Sequence, residues 1–409
     1  MWQLKKIAIG VGLIILFELL KMILSFKQSG ATYYHFFSNL LSCYQILILL
    51  YCIITLFLEL ILKRFFKNNY KILSVGLFFI LVLVCELLFG YLLHHPTSIP
   101  KGLYLFKRYY IGYEGNTIQF DKECSEYSNI LFYKLKDQKQ FVFRSLEFAD
   151  SFTTNSKGFR DDEASLEKPS IIFLGDSYTL GWGAKQNETF VSVTENITGL
   201  KGLNAGMSSY GTARESMVLS TLDTSNLDFI IWQYCYNDAV ENKAYSDSGF
   251  VLPVKSRKEY NRIADLNEWT TTYFPGKYFL TILNLVVQRE EKKSANIPVA
   301  EPKHNNNAQE EAERFINILA KSKINWHRTR VIVLELSYRE RHSQFITALQ
   351  NLINQNPAKQ IFLKNIFTLD VKTFLRKEDY YLMDVHLRKQ GNFKVGEHLA
   401  KTIKSLQNK

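Results

Sequence analysis

The chain has 409 residues, 47% of them hydrophobic and 14% aromatic, with a formal net charge of +11. That length is enough for two or three domains. The positive balance raises nucleic-acid binding as a possibility, but Lys and Arg are dispersed and no basic block interleaves with stacking aromatics, so no nucleic-acid partner is expected; an anionic membrane surface accounts for the sign more simply.

Three apolar segments open the chain: Ile7 to Phe26, Leu41 to Leu62 and Ile72 to Leu93. Each is about 20 residues long, the length a helix needs to cross a bilayer, so residues 1–94 are predicted to form a three-helix transmembrane anchor. The first run contains Glu18 and Lys21 and is followed by no small-x-small cleavage site, which favours a retained span over a signal peptide. Glu18 and Lys21 lie three apart and can pair, and Glu59 is expected to reach the interface. Lys5 and Lys6 precede the first span, and Lys63, Arg64, Lys67 and Lys71 crowd the loop between the second and third. The positive-inside rule then places the amino terminus in the cytoplasm and everything after His94 outside it.

Residues 95–168 read as a connecting segment with short strands, at Leu103 to Phe106 and Gln140 to Arg144. A turn-rich string, Asn155-Ser156-Lys157-Gly158-Phe159-Arg160-Asp161, follows. Phe159 is expected to pack beneath a sheet, and Arg160 is not expected to touch substrate.

From 169 to 409 strands alternate with helices, which predicts an α/β domain with a parallel sheet covered on both faces. Strands are expected at Ser170–Leu174, Leu200–Leu203, Leu227–Tyr234, Arg330–Leu336 and Ile361–Ile366. Helices are expected behind Ser177 (Phe190, Val193, Ile197), after Thr212-Ala213-Arg214-Glu215 read as a capping box, at Ala308–Lys321, at Ser343–Ile353, and at the end, with Phe393, Leu399, Ala400 and Ile403 facing inward. Residues 240–307 form an insertion, charged and Asn-rich from Arg289 to Asn307. Its composition suits either a partial lid or a disordered loop.

Gly175 breaks the first strand, and Ser177 stands at the turn beyond its carboxyl end, where open α/β sheets bind ligands. Alone, Gly-Asp-Ser is also what a solvated turn looks like. Three later blocks change that reading: Asn204-Ala205-Gly206, Tyr236-Asn237-Asp238 and Asp384-Val385-His386. With Gly175-Asp176-Ser177-Tyr178-Thr179 they resemble, in order and character, the four blocks of the SGNH (GDSL-type) hydrolases, and the Asn155 to Asp161 string resembles a segment of that family's membrane-attached members. The resemblance implies an SGNH-hydrolase-like, flavodoxin-like sheet. It implies Ser177 as nucleophile, His386 as base and Asp384 as its orienting carboxylate, with an oxyanion hole from the backbone N–H groups of Ser177 and Gly206 and the side-chain amide of Asn237. Asp176 and Asp238 read as structural acceptors. The family's third block is often Gly-x-Asn-Asp, and Cys235-Tyr236 here departs from it.

The resemblance implies no metal and no cofactor. It points to a serine esterase acting on an acyl ester, an O-acetyl group on an extracytoplasmic carbohydrate or lipid. Two alternatives stand beside it: an O-acyltransferase passing the acyl group to an envelope glycan, which would need a membrane partner to deliver the donor, and an inactive glycan-binding or scaffolding protein. The five cysteines form no zinc or redox spacing, and only Cys124 and Cys235 lie outside the apolar segments, with their pairing left open.

Overall fold

Ile171, Ile172, Phe173 and Leu174 have no measurable solvent exposure, and this apolar tetrad is the strand on which the sheet is assembled. The computed structural model describes residues 2–26, 34–95, 117–144, 147–271, 273–280, 282–283, 308–337, 344–355, 361–382 and 384–408. Its chain divides into two units, Met1–Asn116 with Arg262–Glu301, and Thr117–Asn261 with Pro302–Lys409.

In the first unit, α1 (Trp2–Phe26), α2 (Tyr34–Phe65) and α3 (Tyr70–His94) are long apolar helices. The sequence predicts three spans; among the described residues two helices are long and apolar enough to cross a membrane, Leu40–Phe65 and Tyr70–Leu92. α1 is as long, but Lys5, Lys6, Glu18 and Lys21 interrupt it. Lys21 donates to Glu18 at 2.8 Å, and Gln45 of α2 bonds to both side chains. Glu59 does not reach the interface as expected. It is buried, and Lys6 of α1 donates to it and to Thr55, at 3.0 Å in the latter case. Glu86 of α3, also buried, accepts the backbone N–H groups of Tyr278 and Phe279 at 3.3 and 2.8 Å and the Tyr273 hydroxyl at 3.2 Å. A carboxylate inside an apolar helix thus finds its partners in the chain segment 273–280, which belongs to the same unit.

The second unit begins with two antiparallel hairpins, β1 (Ser125–Ser128) with β2 (Phe132–Leu135), and β3 (Gln140–Arg144) with β4 (Ala149–Thr153). A parallel sheet of β5 (Ile171–Leu174), β6 (Gly202–Asn204), β7 (Phe229–Tyr234), β8 (Arg330–Glu335) and β9 (Ile366–Leu369) follows, in the spatial order β6-β5-β7-β8-β9. Counted along the chain this is 2-1-3-4-5, the flavodoxin-like winding, whose strand order reverses between β5 and β7.

Helices intervene: α4 (Ser177–Leu180), α5 (Phe190–Thr198), α6 (Thr212–Leu219), α7 (Asp238–Asp247), α8 (Arg257–Thr271), α9 (Ala308–Lys321), α10 (Phe345–Gln355) and α11 (Lys389–Gln407). Alternate strand residues feed the two faces. Ile171, Phe173, Phe229, Ile231, Ile332 and Leu334 pack with Val395, Leu399 and Ile403 of α11. Trp232 and Tyr234 point the other way, onto Phe315 of α9 and Phe345 of α10. Each fully buried aliphatic or aromatic side chain contributes about 1.5–3 kcal/mol relative to exposure.

Several local expectations are corrected. Ile361–Asn365 is a 3-10 turn, and the last strand begins only at Ile366, where pairing with Val331 of β8 starts. Thr212 does not cap its helix: Gly211 is the cap, and Glu215 turns inward to accept the Trp232 indole N–H at 2.5 Å. Phe393 of α11 is 49% exposed, whereas Leu399, Ala400 and Ile403 are buried. The start of the 240–307 insertion contains most of α7 and all of α8. The Leu103–Phe106 strand and the Arg289–Asn307 segment lie outside the described residues.

Candidate active site

The turn after β5 is built on a position only glycine can fill. Gly175 has φ +154°, and a Cβ there would come within 2.2 Å of Thr179 Oγ1 and 2.5 Å of Gln233 Oε1. Asp176 then caps α4, its carboxylate accepting the Tyr178 N–H at 3.0 Å. Burial holds the Asp176 carboxyl above its ordinary value, with the Tyr178 bond pulling the other way. Ser177 opens the single turn of α4, so its backbone N–H has no acceptor within the helix.

The downstream half of this turn hangs on Arg160. Its fully buried guanidinium donates to the carbonyls of Leu180 (3.1 Å), Gly181 (2.6 Å) and Ala184 (2.6 Å) and to Gln186 Oε1 (2.8 Å). It also stacks 3.9 Å over the Phe152 ring of β4. Burial lowers its pKa to about 10 against the opposing charge of Asp150, still far above neutrality. Phe159 beside it is buried.

His386 reaches Ser177 from 209 residues away. The Ser177 hydroxyl lies 2.7 Å from His386 Nε2, and His386 Nδ1 lies 2.5 Å from Asp384 Oδ1. With Nδ1–H donating to the carboxylate, Nε2 is the lone-pair nitrogen, and the Ser177 hydroxyl donates its hydrogen bond to it. Asp384 Oδ1 also accepts the His386 backbone N–H at 2.9 Å, which is the tight bend that lets residues two apart face one hydroxyl. The Trp182 indole donates to Asp384 Oδ2 at 3.3 Å. Burial pushes the Asp384 carboxyl up, but the imidazole beside it and these hydrogen bonds outweigh that and hold it below its ordinary value.

The loop carrying Asp384 and His386 is tied down on three sides. Glu147, between β3 and β4, accepts the backbone N–H groups of Leu382 (2.8 Å) and Asp384 (2.7 Å). The Tyr178 hydroxyl donates to the Val385 carbonyl at 3.0 Å, and Tyr381 donates to the Gly183 carbonyl at 2.5 Å. The rings of Tyr178 and Trp182 lie 4.8 and 5.6 Å from the imidazole, and Phe143 of β3 packs 4.5 Å from Trp182.

The proposed oxyanion donors differ in state. Gly206 lies against the serine turn: a Cβ would sit 2.4 Å from Leu180 N and 2.6 Å from Thr179 C. Its N–H donates to Asn204 Oδ1 at 3.0 Å, so that donor is already engaged. Asn237 follows β7, the neighbour of β5, and leaves the sheet at the same carboxyl rim as Ser177. Its Oδ1 is buried and accepts no hydrogen bond among the described residues. Asp238 starts α7, accepts the Thr212 hydroxyl at 3.0 Å, and is held well above its ordinary value by burial and by the charge of Asp176.

Cys235, beside the third block, is buried. Burial pushes its thiol far up, and the Asp176 and Asp238 charges push it further. Cys124 and Cys235 are both buried and free. His398 stacks on Phe374, 3.7 Å between ring centres, away from this site. Among the described residues no group of three or more His, Cys, Asp or Glu side chains could hold a metal ion.

Glu147 carries no signal in the sequence, lying in a stretch with no motif. Trp182 sits inside the Ser177 segment, yet its hydrogen bond to Asp384 needs coordinates to be seen. The Asn155 to Asp161 string did single out Arg160, whose partners turn out to be the carbonyls of the serine turn.

No protein-family model matches the chain, and neither does any curated protein. Among solved structures it is similar to a G-D-S-L family protein of Desulfitobacterium hafniense DCB-2, 14% identical with a TM-score of 0.29, covering 56% of this chain and 97% of that one. It is similar to a lipase from a goat rumen metagenome, 16% identical with a TM-score of 0.31, covering 56% and 95% respectively. It is similar also to a salicylyl-acyltransferase of a tetracycline biosynthetic pathway, 11% identical with a TM-score of 0.30, covering 59% of this chain and 56% of that one. The chain spans little more than half the length of that acyltransferase.

Proposed function

We propose that the protein is a membrane-anchored serine esterase that hydrolyses an acyl ester, an O-acetyl group on an extracytoplasmic carbohydrate or lipid. The observation that carries this reading is the unbroken line Ser177 Oγ, His386 Nε2, His386 Nδ1, Asp384 Oδ1, with links of 2.7 and 2.5 Å. In the proposed reaction Ser177 Oγ attacks the ester carbonyl carbon while its proton passes to His386 Nε2. Asp384 stabilises the imidazolium that forms. The tetrahedral oxyanion takes hydrogen bonds from the Ser177 N–H and the Asn237 amide. Gly206 joins them only by sharing the N–H that Asn204 now holds.

Collapse of that intermediate breaks the C–O bond, and His386 returns its proton to the departing alkoxide. Water then attacks the acyl-serine by the same route in reverse, releasing the carboxylic acid. A sugar hydroxyl in place of water would make the protein an O-acyltransferase through the same acyl-enzyme. The bilayer setting rests on α2 and α3, and the assignment of the hydrolase-like part to the far side of the membrane rests on the Lys and Arg flanks of the helices.

The test is covalent labelling with a fluorophosphonate probe, followed by product analysis with an acetyl ester in the presence and absence of a glycan acceptor. Wild type is expected to label and to release acetate without an acceptor, and Ser177→Ala to do neither. An unlabelled wild-type protein would end the hydrolase reading. Acetate transfer that requires the glycan would move it to the acyltransferase.

A further inference from the structure

Between the three long helices lies an open-sided cavity that the proposed chemistry does not use. It has a volume of about 430 Å3 and lies at the amino-terminal end of α1, lined by Ile9 and Leu13 of α1, Ile48 of α2 and Phe78 of α3, with Trp2 and Lys5 at one end. A slot of this size falls within the range of small-ligand sites, about 300–1,000 Å3.

Its charged end is not neutralised from within. Lys6 lines the cavity too, but its ammonium is spent on Glu59 and Thr55. Lys5 makes no ion pair among the described residues. Nor does Lys71 of α3, whose ammonium stands 5.4 Å over the Trp2 ring and 5.7 Å over Tyr70. The arrangement is therefore an apolar slot with Lys5 in its lining and Lys71 beside it, over the Trp2 ring, and neither cation is ion-paired among the described residues. A soluble anion would not fill the apolar part, and a neutral lipid would leave the cations unanswered.

We propose that this cavity holds one acyl chain of an anionic phospholipid, with the phosphate at Lys5 and Lys71. The inference rests on the reading that α2 and α3 cross a bilayer, and it is independent of the chemistry at Ser177. The occupant comes from the leaflet that meets the amino terminus of α1. Cytoplasmic leaflets are the anionic ones, and basic residues near the surface attract their headgroups.

The experiment uses the full chain in detergent, analysed by native mass spectrometry with added dioleoylphosphatidylglycerol or dioleoylphosphatidylcholine. One saturable phosphatidylglycerol adduct is expected, retained at least tenfold better than phosphatidylcholine. Lys5→Gln with Lys71→Gln is expected to remove that preference. Ile48→Trp, which fills the slot and keeps both cations, is expected to remove the adduct. Leu13→Phe provides a second filling variant should Ile48→Trp fail to give a monodisperse protein. Inorganic phosphate at millimolar concentration is expected not to compete. Equal retention of the two lipids, adducts unaffected by either filling variant, or displacement by phosphate would each overturn the proposal. Fractionation of expressing cells separates the two readings: a membrane-bound protein without the adduct sinks only the lipid site, whereas a soluble protein sinks the membrane reading and the site with it.

Discussion

Glu147 holds Asp384 by its backbone, accepting that residue's N–H at 2.7 Å and the Leu382 N–H at 2.8 Å with its two oxygens. A carboxylate from the strand pair β3 and β4 thereby sets the position of the loop that presents His386 to Ser177. Glu147 touches no reacting atom in the proposed mechanism and acts as a positioning residue. Glu147→Ala is expected to lower kcat about 10- to 100-fold through misplacement of the imidazole, with KM changing much less. Glu147→Gln keeps an acceptor for one N–H and is expected to recover part of the loss. Equal kcat for wild type and Glu147→Ala on an acetyl ester would show that the loop holds its shape without this clamp.

Arg160 gives the next expectation. Its guanidinium satisfies three backbone carbonyls of the serine turn in a fully buried setting. Arg160→Ala leaves those carbonyls without donors, each costing about 1–3 kcal/mol, and is expected to destabilise the protein by about 3 kcal/mol or more. Arg160→Lys is not conservative here, because an ammonium cannot reproduce the planar fork that reaches Leu180, Gly181 and Ala184 together. Chemical denaturation of both variants is the measurement. A loss below about 1 kcal/mol for Arg160→Ala would contradict the role.

The apolar runs that became β5, β7 and β8 were legible because buried parallel strands need continuous Val, Ile, Leu and Phe. The chemistry-bearing blocks were legible through the family resemblance: the first three fall where β5, β6 and β7 end, whereas Asp384-Val385-His386 lies beyond β9 in the loop before α11. Side chains that bond to backbone were not. Glu147 and Arg160 recognise N–H and C=O groups, which every residue carries, so no residue-type pattern marks their partners. Glu59 was misplaced for a related reason: charge near a helix end reads as interfacial until Lys6 of another helix is seen beside it. The break between the 3-10 turn at Ile361–Asn365 and β9 depends on where β8 begins pairing, a tertiary fact absent from a local apolar run.

The exposed edge of the sheet predicts a pH dependence of stability. β6 is an edge strand, and its outward N–H groups at Gly202 and Asn204 are accepted by Glu195 at 3.0 Å and Asp161 at 2.8 Å. Burial raises Asp161 to about 6 and, with the charge of Asp161 added, raises Glu195 to about 7. Folded-state values above the ordinary ones mean that the native state binds the extra protons. Stability from this pair is therefore highest on the acid side and declines as pH rises from about 4 through 7. Glu195→Gln keeps the acceptor for Gly202 without the charge. It is expected to stabilise the protein at pH 8 by an amount of order 1 kcal/mol, allowing for solvent screening, and to have a much smaller effect at pH 5. Melting curves at the two pH values check this, and equal shifts at both would refute it.

Gly206 tests how closely the second block supports the serine turn. A Cβ at this position would lie 2.4 Å from Leu180 N and 2.6 Å from Thr179 C, both backbone atoms that cannot swing aside. Gly206→Ala is expected to cost about 1–3 kcal/mol by overpacking and to reduce fluorophosphonate labelling at Ser177 by at least tenfold. Retained labelling with unchanged stability would mean that the turn yields more readily than its Arg160 anchorage implies.

Asn237 separates a binding role from a structural one. Its Oδ1 is buried yet accepts nothing, and its side chain makes no hydrogen bond among the described residues. Removing the amide therefore breaks no internal bond, and Asn237→Ala is expected to change stability by less than about 1 kcal/mol. If the amide N–H meets the oxyanion, the same substitution takes away one donor from the transition state, a loss of about 3 kcal/mol or about 100-fold in kcat, with KM nearly unchanged. Asn237→Asp replaces that donor by an acceptor, sets a negative charge against a developing negative charge, and is expected to be worse than Ala. A variant pair that loses stability in step with activity would instead make Asn237 a support for the β7 to α7 turn, and the oxyanion would then have to rely on backbone donors alone.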